Sequence, residues 1–453
     1  MVYPIQQSHL SEGFNGDSTG NIFYGSTVTF TSDDSTAVSN SHADTYDNGN
    51  DADIPYTVTT SNITVNSGTA LLVYTGKTYD PNGTVTTNST GGSFTVGASS
   101  TAYLDTATST IGTDVAVENG GTLNIDANTT ISGGDITLTG TGSVTTTTGT
   151  PTTTVATGGT LGGGTGTLTF YNLSLSSTGT SVLDAALTIL NDLTIGDGTN
   201  AHTLDAETND PTVLVTGDFT VSTNGTYTAS SSSNLTVQGD FTNNGTISEG
   251  TSTVILSGSA AAALDTGCSD AASCTSENLY NLTINKSTAG TNVSLSSTDL
   301  RLSNTLTITT GTLVQSTFDI RAEGGTAVSV ASDGTWTNTS TGTVVLGGSV
   351  SNAGTVTLQS NGSGCGDANS ITISSTSGGS QRAWSGAGTF SINDVVVSDQ
   401  GGTALITAFS SEDGGNNASN WTILGDCSAT PQNSELLRHG EWFSGEIRQK
   451  FSY

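Results

Sequence analysis

Short strings in which apolar and polar residues alternate run through most of the chain. Residues 63–65 (Ile-Thr-Val), 123–125 (Leu-Asn-Ile) and 306–308 (Leu-Thr-Ile) are examples. Such alternation, with β-branched residues among the partners, is typical of strands that bury one side. Between the strings, no stretch of about ten residues has a convincing helical period, which argues against strand-helix-strand units. The pattern therefore predicts an all-β protein.

The strings recur at a nearly constant interval. Gly217-Asp218-Phe219-Thr220 returns further along the chain as Gly239-Asp240-Phe241-Thr242. The interval between these two copies matches the length of one coil of a parallel β-helix. Strings at similar intervals centre on 173–175, 193–195, 213–215, 235–237 and 254–255. The sequence therefore predicts a parallel β-solenoid of roughly 17 coils, each of about 20–22 residues.

A longer similarity relates residues 171–175 to 280–284 and residues 191–195 to 304–308. It suggests that several coils were duplicated as a block. The corners carry matching turn chemistry, because Asn-Gly or Asp-Gly pairs precede a Thr and an apolar residue at 82–85, 224–227 and 333–336. We therefore expect turns at these positions and a strand directly after each.

The repeat pattern divides the chain into three parts. Residues 1–54 are polar and lack it, so they are predicted to be an N-terminal cap that hides an open strand edge. Residues 55–426 carry the strings and form the predicted rod. The composition changes abruptly at Cys427, and residues 427–453 are interpreted as a C-terminal cap or docking tail.

Three stretches near the end of the rod, 379–395, 398–404 and 414–423, carry a family resemblance. They resemble the last coils of bacterial secreted right-handed β-helix surface proteins and adhesin passenger regions. The resemblance implies a right-handed coil and an extracellular or cell-surface location. It implies no particular ligand.

Composition and charge narrow the classes of partner. Only 10% of the residues are charged and 32% are hydrophobic, which suits a narrow core. The formal charge is −31, from 8 Lys and Arg against 39 Asp and Glu, so the protein's field repels phosphate backbones. We therefore expect no nucleic-acid partner. Because no run of about 18 apolar residues occurs, we also expect no transmembrane segment.

The export route is not visible in the first residues, which lack a basic region followed by an apolar one. The expected extracellular location therefore depends on the scarcity of Lys, the surface rich in Thr, Ser and Asn, and the cysteines. Cys268 and Cys274 lie close together in a lengthened interval between strings, which predicts a loop closed by a local disulfide. Cys365, in another insertion, and Cys427, after the last string, are predicted to form a second disulfide at the C-terminal end.

Asp44, Asp47, Asp51 and Asp53 form the densest group of hard oxygen ligands, the type that Ca²⁺ prefers. Their spacing departs from the EF-hand and from the nonapeptide β-roll, so a solvated cap loop is the favoured interpretation and Ca²⁺ is the alternative. The four His residues are scattered, which gives a zinc site little support.

Two Asp-Leu/Ile-Arg triplets, Asp299 to Arg301 and Asp319 to Arg321, are separated by one coil length and are expected on adjacent coils. They are predicted to form an ion-pair ladder in which each Arg pairs with the Asp beside or above it. A site for an acidic sugar is the less favoured alternative. Elsewhere in the rod Arg and Lys are nearly absent. β-Helix enzymes that cleave carbohydrates, by contrast, usually combine acidic residues with Arg, Lys or His on one face.

Thr-rich runs such as 145–148 and 152–155 raise the idea of an ice-binding face. That function requires Thr residues repeated in register on successive coils. The runs are bunched along the sequence, so the Thr residues are interpreted as ordinary solvent-facing strand residues.

The segment 434–453 contains three of the eight cations and several aromatic residues. Two hypotheses stay open for it: a cap that folds over the terminal coil, or a strand that docks on an acidic neighbour by edge pairing. The residues expected to carry assembly are Trp442, Ile447, Arg448, Lys450, Phe451 and Tyr453.

The sequence as a whole predicts a non-enzymatic extracellular rod with a structural or adhesive role, which could assemble into filaments through its ends. Its expected partners are other copies of itself or a cell-surface or host glycan. The alternative is a carbohydrate-active β-helix enzyme, a polysaccharide lyase or a glycosidase.

Overall fold

The alternating strings form short parallel strands because each buries its apolar residues on one side and pairs with the coils before and after it. A computed structural model describes residues 28–30, 62–65, 71–73, 76, 78–79, 83–87, 93–362 and 367–425. Within these residues the chain is an all-β parallel solenoid of about 14 turns without helices, which confirms the predicted fold class.

Each coil passes through three strand positions, so the stacked coils form three walls, which we name faces A, B and C in chain order. Face A comprises Val28–Phe30, Asn62–Val65, Thr84–Thr87, Ser109–Ile111, Thr129–Ile131, Thr152–Val155, Asn172–Leu175, Leu193–Ile195, Phe219–Val221, Phe241–Asn243, Ala262–Asp265, Asn292–Leu295, Thr355–Gln359, Thr389–Asn393, Ile406–Phe409 and Trp421–Leu424.

Face B comprises Leu71–Val73, Ser93–Val96, Asp114–Val117, Ile136–Leu138, His202–Asp205, Gly225–Thr228, Thr246–Ser248, Leu300–Leu302, Ile320–Ala322, Val344–Leu346, Ile371–Ser375, Val395–Ser398 and Glu412–Gly415. Face C comprises Thr78–Tyr79, Thr101–Leu104, Thr122–Ile125, Ser143–Thr145, Val213–Val215, Leu235–Val237, Thr253–Leu256, Asn281–Asn285, Ser349–Asn352, Arg382–Ser385 and Gln400–Gly402.

Four longer strands turn a corner and belong to two faces. Gly159–Phe170 and Gly179–Ile189 contribute to faces B and C, and Leu306–Val314 and Thr326–Asn338 contribute to faces C and A. Gly162, Gly163 and Gly164 take positive φ angles where the first of these strands bends. A bend inside a continuous strand needs residues without a Cβ, which explains the glycine run.

The core is a narrow column of side chains stacked along the axis. Inward residues alternate with outward ones, as in Leu193–Ile195, where both ends are buried and Thr194 faces out. Phe219 lies directly under Phe241 in the strand register, with ring centroids 5.1 Å apart, and Tyr227 meets Phe219 edge-on at 5.3 Å. Like residues on successive coils thus form stacks, which add to the gain from apolar burial.

The count of about 14 turns differs slightly from the roughly 17 coils predicted, and the coils vary in length. Leu173 pairs with Leu193, which defines a short coil, whereas Leu193 pairs with Phe219, which defines a longer one. The longest intervals contain excursions, as between Leu264 and Leu295. At about 4.8 Å per coil, 14 turns span roughly 65 Å.

One predicted inward position is wrong. The apolar string at 254–255 predicts that Ile255 points inward, whereas the structure buries Val254 and Leu256 and turns Ile255 outward. Ile255 lies beside Thr236 and Thr283 in the strand register, both of which face out. The strand is apolar on both sides here, so its composition alone leaves the register undetermined.

The two similar strings of the sequence lie on different faces. Asn172–Leu175 belongs to face A and Asn281–Asn285 to face C. Both nevertheless begin with the same contacts, because the Asn172 side-chain oxygen accepts from Asn191 (2.9 Å) and the Asn281 oxygen accepts from Asn304 (2.9 Å). The repeated string therefore encodes a corner and its strand, and either face can contain it.

Candidate functional site

Several predicted site residues lie outside the described residues. They belong to three groups: the acidic group, the second proposed disulfide and the assembly segment. The residues are Asp44, Asp47, Asp51, Asp53, Cys365, Cys427, Trp442, Ile447, Arg448, Lys450, Phe451 and Tyr453. The boundaries of the two predicted caps also fall there, except that Val28–Phe30 pairs in parallel with Asn62–Val65.

The predicted Cys268–Cys274 disulfide is present, with the two Cα atoms 5.6 Å apart. It closes an excursion, residues 266–279, that takes the place of a face B strand in its coil. Cys268 bridges Asp299 in antiparallel fashion, and Leu279 bridges Leu302 in parallel fashion, on the next coil. The excursion is thus fixed to face B at both of its ends.

The two arginines are adjacent, as predicted, but their partner is a different residue. Arg301 and Arg321 lie side by side in register. Both pair with Glu323, Arg301 at 3.2 Å and Arg321 at 2.6 Å. The predicted ladder of Arg with Asp is therefore wrong. Asp299 and Asp319 precede the strands and turn to backbone groups, whereas Glu323 follows Ile320–Ala322 next to the guanidinium groups.

The carboxylate of Asp299 joins the excursion to the wall. Its two oxygens accept from the backbone N–H of Ala271 (3.1 Å) and of Asp319 (2.9 Å). Burial raises the pKa of this carboxyl above its usual range. Arg301 donates to the carbonyl of Cys274 on the same excursion. These charged groups are engaged in holding the loop, which leaves Asp299 poorly placed for proton transfer to a substrate.

A column of amide and carboxylate side chains runs along the corner that leads into face A. Asp192 N–H donates to Asn172, Asp218 N–H to Asp192, Asp240 N–H to Asp218 and Ala263 N–H to Asp240, at 2.7–3.1 Å. Each side chain therefore accepts a backbone donor of the next coil. These bonds satisfy corner N–H groups and set the stacking of neighbouring coils.

A second column, on the outer side of face A, consists of hydroxyl residues in strict register. Each pairs with the next along the axis, and none of the eight hydroxyls hydrogen-bonds to the protein within the described residues. The column comprises Thr86, Thr110, Thr130, Thr154, Ser174, Thr194, Thr220 and Thr242. The expectation that Thr residues are bunched without register is therefore wrong for face A, where run 152–155 supplies Thr154 to the column and run 145–148 supplies none.

The geometry of this hydroxyl column is regular. Its members are partly exposed and follow one another at about 4.8 Å, the spacing of parallel strands. The amide and carboxylate column lies two residues away along the same strands, about 7 Å to one side. Face A therefore presents rows of polar groups whose positions are fixed by the backbone. In the sequence, the hydroxyl column is indicated by the polar residue that lies between the two apolar residues of each face A string.

Two titratable groups that sequence reasoning left aside lie in the interior. His202 is fully buried, with Nε2 3.0 Å from the Ser181 hydroxyl and Nδ1 3.2 Å from the carbonyls of Ser176 and Ser177. Lys286 is also buried, and its ammonium donates to the carbonyls of Gln238 and Ser257. Burial lowers the pKa of both groups. Neither side chain reaches the outer surface.

Two further properties concern the described residues alone. They contain no group of three or more His, Cys, Asp or Glu side chains placed to hold a metal ion. Within the same part of the chain, no helix has the length and apolarity needed to cross a membrane.

Comparisons with known protein families, with characterised proteins and with solved structures find no match to this chain. The hydroxyl column on face A is the most extensive ordered set of unengaged polar groups in the described residues. It is therefore the candidate functional surface.

Proposed function

We propose that this protein is a non-enzymatic extracellular rod with a structural or adhesive role, and that face A is the wall that contacts its partner. The observation that supports this most strongly is the column of eight in-register hydroxyls without hydrogen bonds to the protein in the part of the chain that the structure describes. Groups that are free and evenly spaced over successive coils suit a long, repetitive partner. A cell-surface or host polysaccharide is the partner class we favour.

The backbone fixes these hydroxyls before any partner binds. Each sits on a strand paired on both sides, so little conformational entropy is lost when its hydroxyl forms a bond. A sugar hydroxyl can donate to or accept from a Thr hydroxyl, since both groups do either. Many weak contacts along one rigid wall then add up to useful avidity.

Charge favours neutral glycans over anionic ones. The formal charge of −31 repels polyanions, and Asp192, Asp218 and Asp240 run beside the hydroxyl column. Nucleic acids and strongly acidic polysaccharides are therefore disfavoured partners. The Cys268–Cys274 disulfide supports an oxidising location such as the cell exterior.

Thr→Val substitutions on two faces test the role of face A. Thr130→Val, Thr154→Val and Thr194→Val together remove three hydroxyls of the column while keeping shape and charge. Thr188→Val, Thr236→Val and Thr283→Val do the same on the outer side of face C and serve as the control. Binding is measured by pull-down on insoluble neutral polysaccharides such as cellulose and chitin.

We expect the face A variant to lose roughly a hundredfold in affinity, because three hydrogen bonds at about 1 kcal/mol each are removed. The face C variant should bind as the unmodified protein does. Equal losses in both variants would contradict a specific role for face A. If neither the unmodified protein nor the face C variant were retained on these polysaccharides, the choice of a neutral glycan as partner would be contradicted.

The enzyme alternative is tested on the same substrates together with pectin and alginate. A non-enzymatic rod releases no new reducing or unsaturated ends during prolonged incubation. Clear turnover that is lost in an Asp299→Asn variant would overturn the non-enzymatic proposal and place the chemistry at the excursion on face B.

A further inference from the structure

Large apolar side chains with high exposure are concentrated at the C-terminal end of the described rod. Within the described residues they number four: Leu190 (40% exposed), Leu405 (88%), Phe409 (54%) and Leu424 (44%). The last three belong to the final two face A strands or directly precede them. We name Leu405, Phe409 and Leu424 the terminal apolar patch.

The three residues lie on the same outer side of face A. Leu405, Thr407 and Phe409 are alternate residues, and Thr407 and Phe409 pair with Thr422 and Leu424 on the last strand. The same outer column is polar one coil earlier, where Asn393 pairs with Phe409 and Gln359 pairs with Asn393. The outer wall therefore changes from polar to apolar only at the end of the rod.

The terminal apolar patch lies at the end of the described rod, where a covering element is expected. Solenoids need a covering element at each end, since the last coil has no neighbour to bury it. Phe409 and Leu424 are neighbours across the last strand pair, and an apolar surface of this kind on an otherwise polar molecule is typical of a docking site. In the described residues, no strand follows Trp421–Leu424 on face A.

The sequence contains a matching segment close by. Residues 434–453 combine seven large apolar or aromatic side chains with Arg438, Arg448 and Lys450. Three Glu residues of the segment balance these cations, so the segment is formally neutral and adds no net repulsion to the acidic rod. Residues 425–433, when extended, span about 30 Å, enough for the segment to return to the patch.

We propose that residues 434–453 of the same chain cover the terminal apolar patch. The short tether, residues 425–433, gives the segment a high effective concentration at the patch, so weak contacts suffice. A second copy is a poorer fit, because three side chains offer far less than the roughly 800 Å² per partner of a stable interface. The proposal is independent of the function proposed above.

Trypsin provides the test, because it cleaves after Arg438, Arg448 and Lys450. The full-length protein is compared with a variant carrying Leu405→Ser, Phe409→Ser and Leu424→Ser, and fragments are followed by mass spectrometry. Leu190→Ser is the matched control, since it removes an exposed apolar residue far from the patch. We expect the patch variant to be cleaved in the segment about tenfold faster, because cleavage follows the undocked population.

The control should be cleaved at the unmodified rate, and all rates should be independent of protein concentration. Equal cleavage of the patch variant and the unmodified protein would overturn the docking. Protection that disappears on dilution would show that a second copy is the occupant and would overturn the intramolecular cover. Hydrogen exchange of Phe241–Asn243 verifies that the rod of each variant is folded.

Discussion

Whether a strand residue points into the core or toward solvent decides how well the rod tolerates a substitution there. Leu235 points into the core and is 2% exposed, whereas its neighbour Thr236 faces outward. The core column is narrow, so a charge placed in it has neither water nor a counter-ion nearby. Residues one position apart should therefore differ widely in tolerance.

Leu235→Asp is expected to lower the free energy of unfolding by roughly 4 kcal/mol or more, because it buries an unpaired carboxylate in place of an apolar side chain. Thr236→Asp should change it by less than about 1 kcal/mol. Ile255→Asp should resemble Thr236→Asp, since Ile255 also faces outward. Urea denaturation measures all three. A loss at Ile255 as large as that at Leu235 would contradict the strand register.

His202 gives the rod a pH dependence. Its pKa is lowered by burial, so the folded protein takes up this proton at a lower pH than the unfolded chain does. The unfolded state then binds more protons below about pH 6.5, and stability falls as the pH drops through that window, by at most about 1.4 kcal/mol per pH unit.

A His202→Gln variant tests this prediction, because Gln does not titrate. Denaturant unfolding of both proteins at pH 7.5 and pH 5.5 separates the His202 contribution from that of the carboxylates. The unmodified protein should lose more stability than the variant over this interval. Parallel losses in the two proteins would show that His202 does not take part.

At the scale of elements, the excursion 266–279 is held by three different devices: the disulfide, the Asp299 carboxylate and Arg301. Replacing Cys268 and Cys274 by Ser should therefore loosen the excursion without unfolding the rod, at a cost of about 2 kcal/mol for so short a loop. Hydrogen exchange should rise in residues 266–279 and stay unchanged in Leu193–Ile195. A uniform rise along the rod would contradict a local role.

The strands and their spacing could be predicted from the sequence because the narrow core imposes them. The interval between Gly217 and Gly239 reappears as the pairing of Phe219 with Phe241. Register was not predictable where a strand is apolar on both sides, as at Ile255. The number of coils was not predictable either, because excursions lengthen some coils without disturbing the strings that flank them.

The candidate site was harder to predict for two physical reasons. The hydroxyl column combines residues that lie a whole coil apart in the sequence, so it becomes visible only when the register of each coil is known. For the arginines, adjacency followed from the spacing of the two triplets, but the partner did not. Carboxylates at corners are recruited by backbone N–H groups, which makes Asp299 and Asp319 unavailable and leaves Glu323 for both arginines.

At the scale of the whole molecule, stacking places like residues above one another, and this applies to charge as well as to apolar groups. Asp192, Asp218 and Asp240 lie on successive coils about 4.8 Å apart. Their side-chain oxygens stabilise the corners, while their charges repel one another and add to a total of −31. The rod thus contains favourable hydrogen bonds and unfavourable charge at the same residues.

Salt and Asp→Asn substitutions separate these two effects. Because the screening length falls from about 30 Å at 0.01 M salt to about 8 Å at 0.15 M, the melting temperature of the unmodified protein should rise over this range. The variant Asp192→Asn, Asp218→Asn, Asp240→Asn keeps each accepting side-chain oxygen but removes the charges, so it should melt roughly 2 °C or more above the unmodified protein at low salt and depend less on salt. Calorimetry at both salt concentrations measures these temperatures. If the variant melted below the unmodified protein at low salt, the carboxylate charges themselves would be stabilising the stacked corners, and the repulsion inferred from their spacing would be wrong.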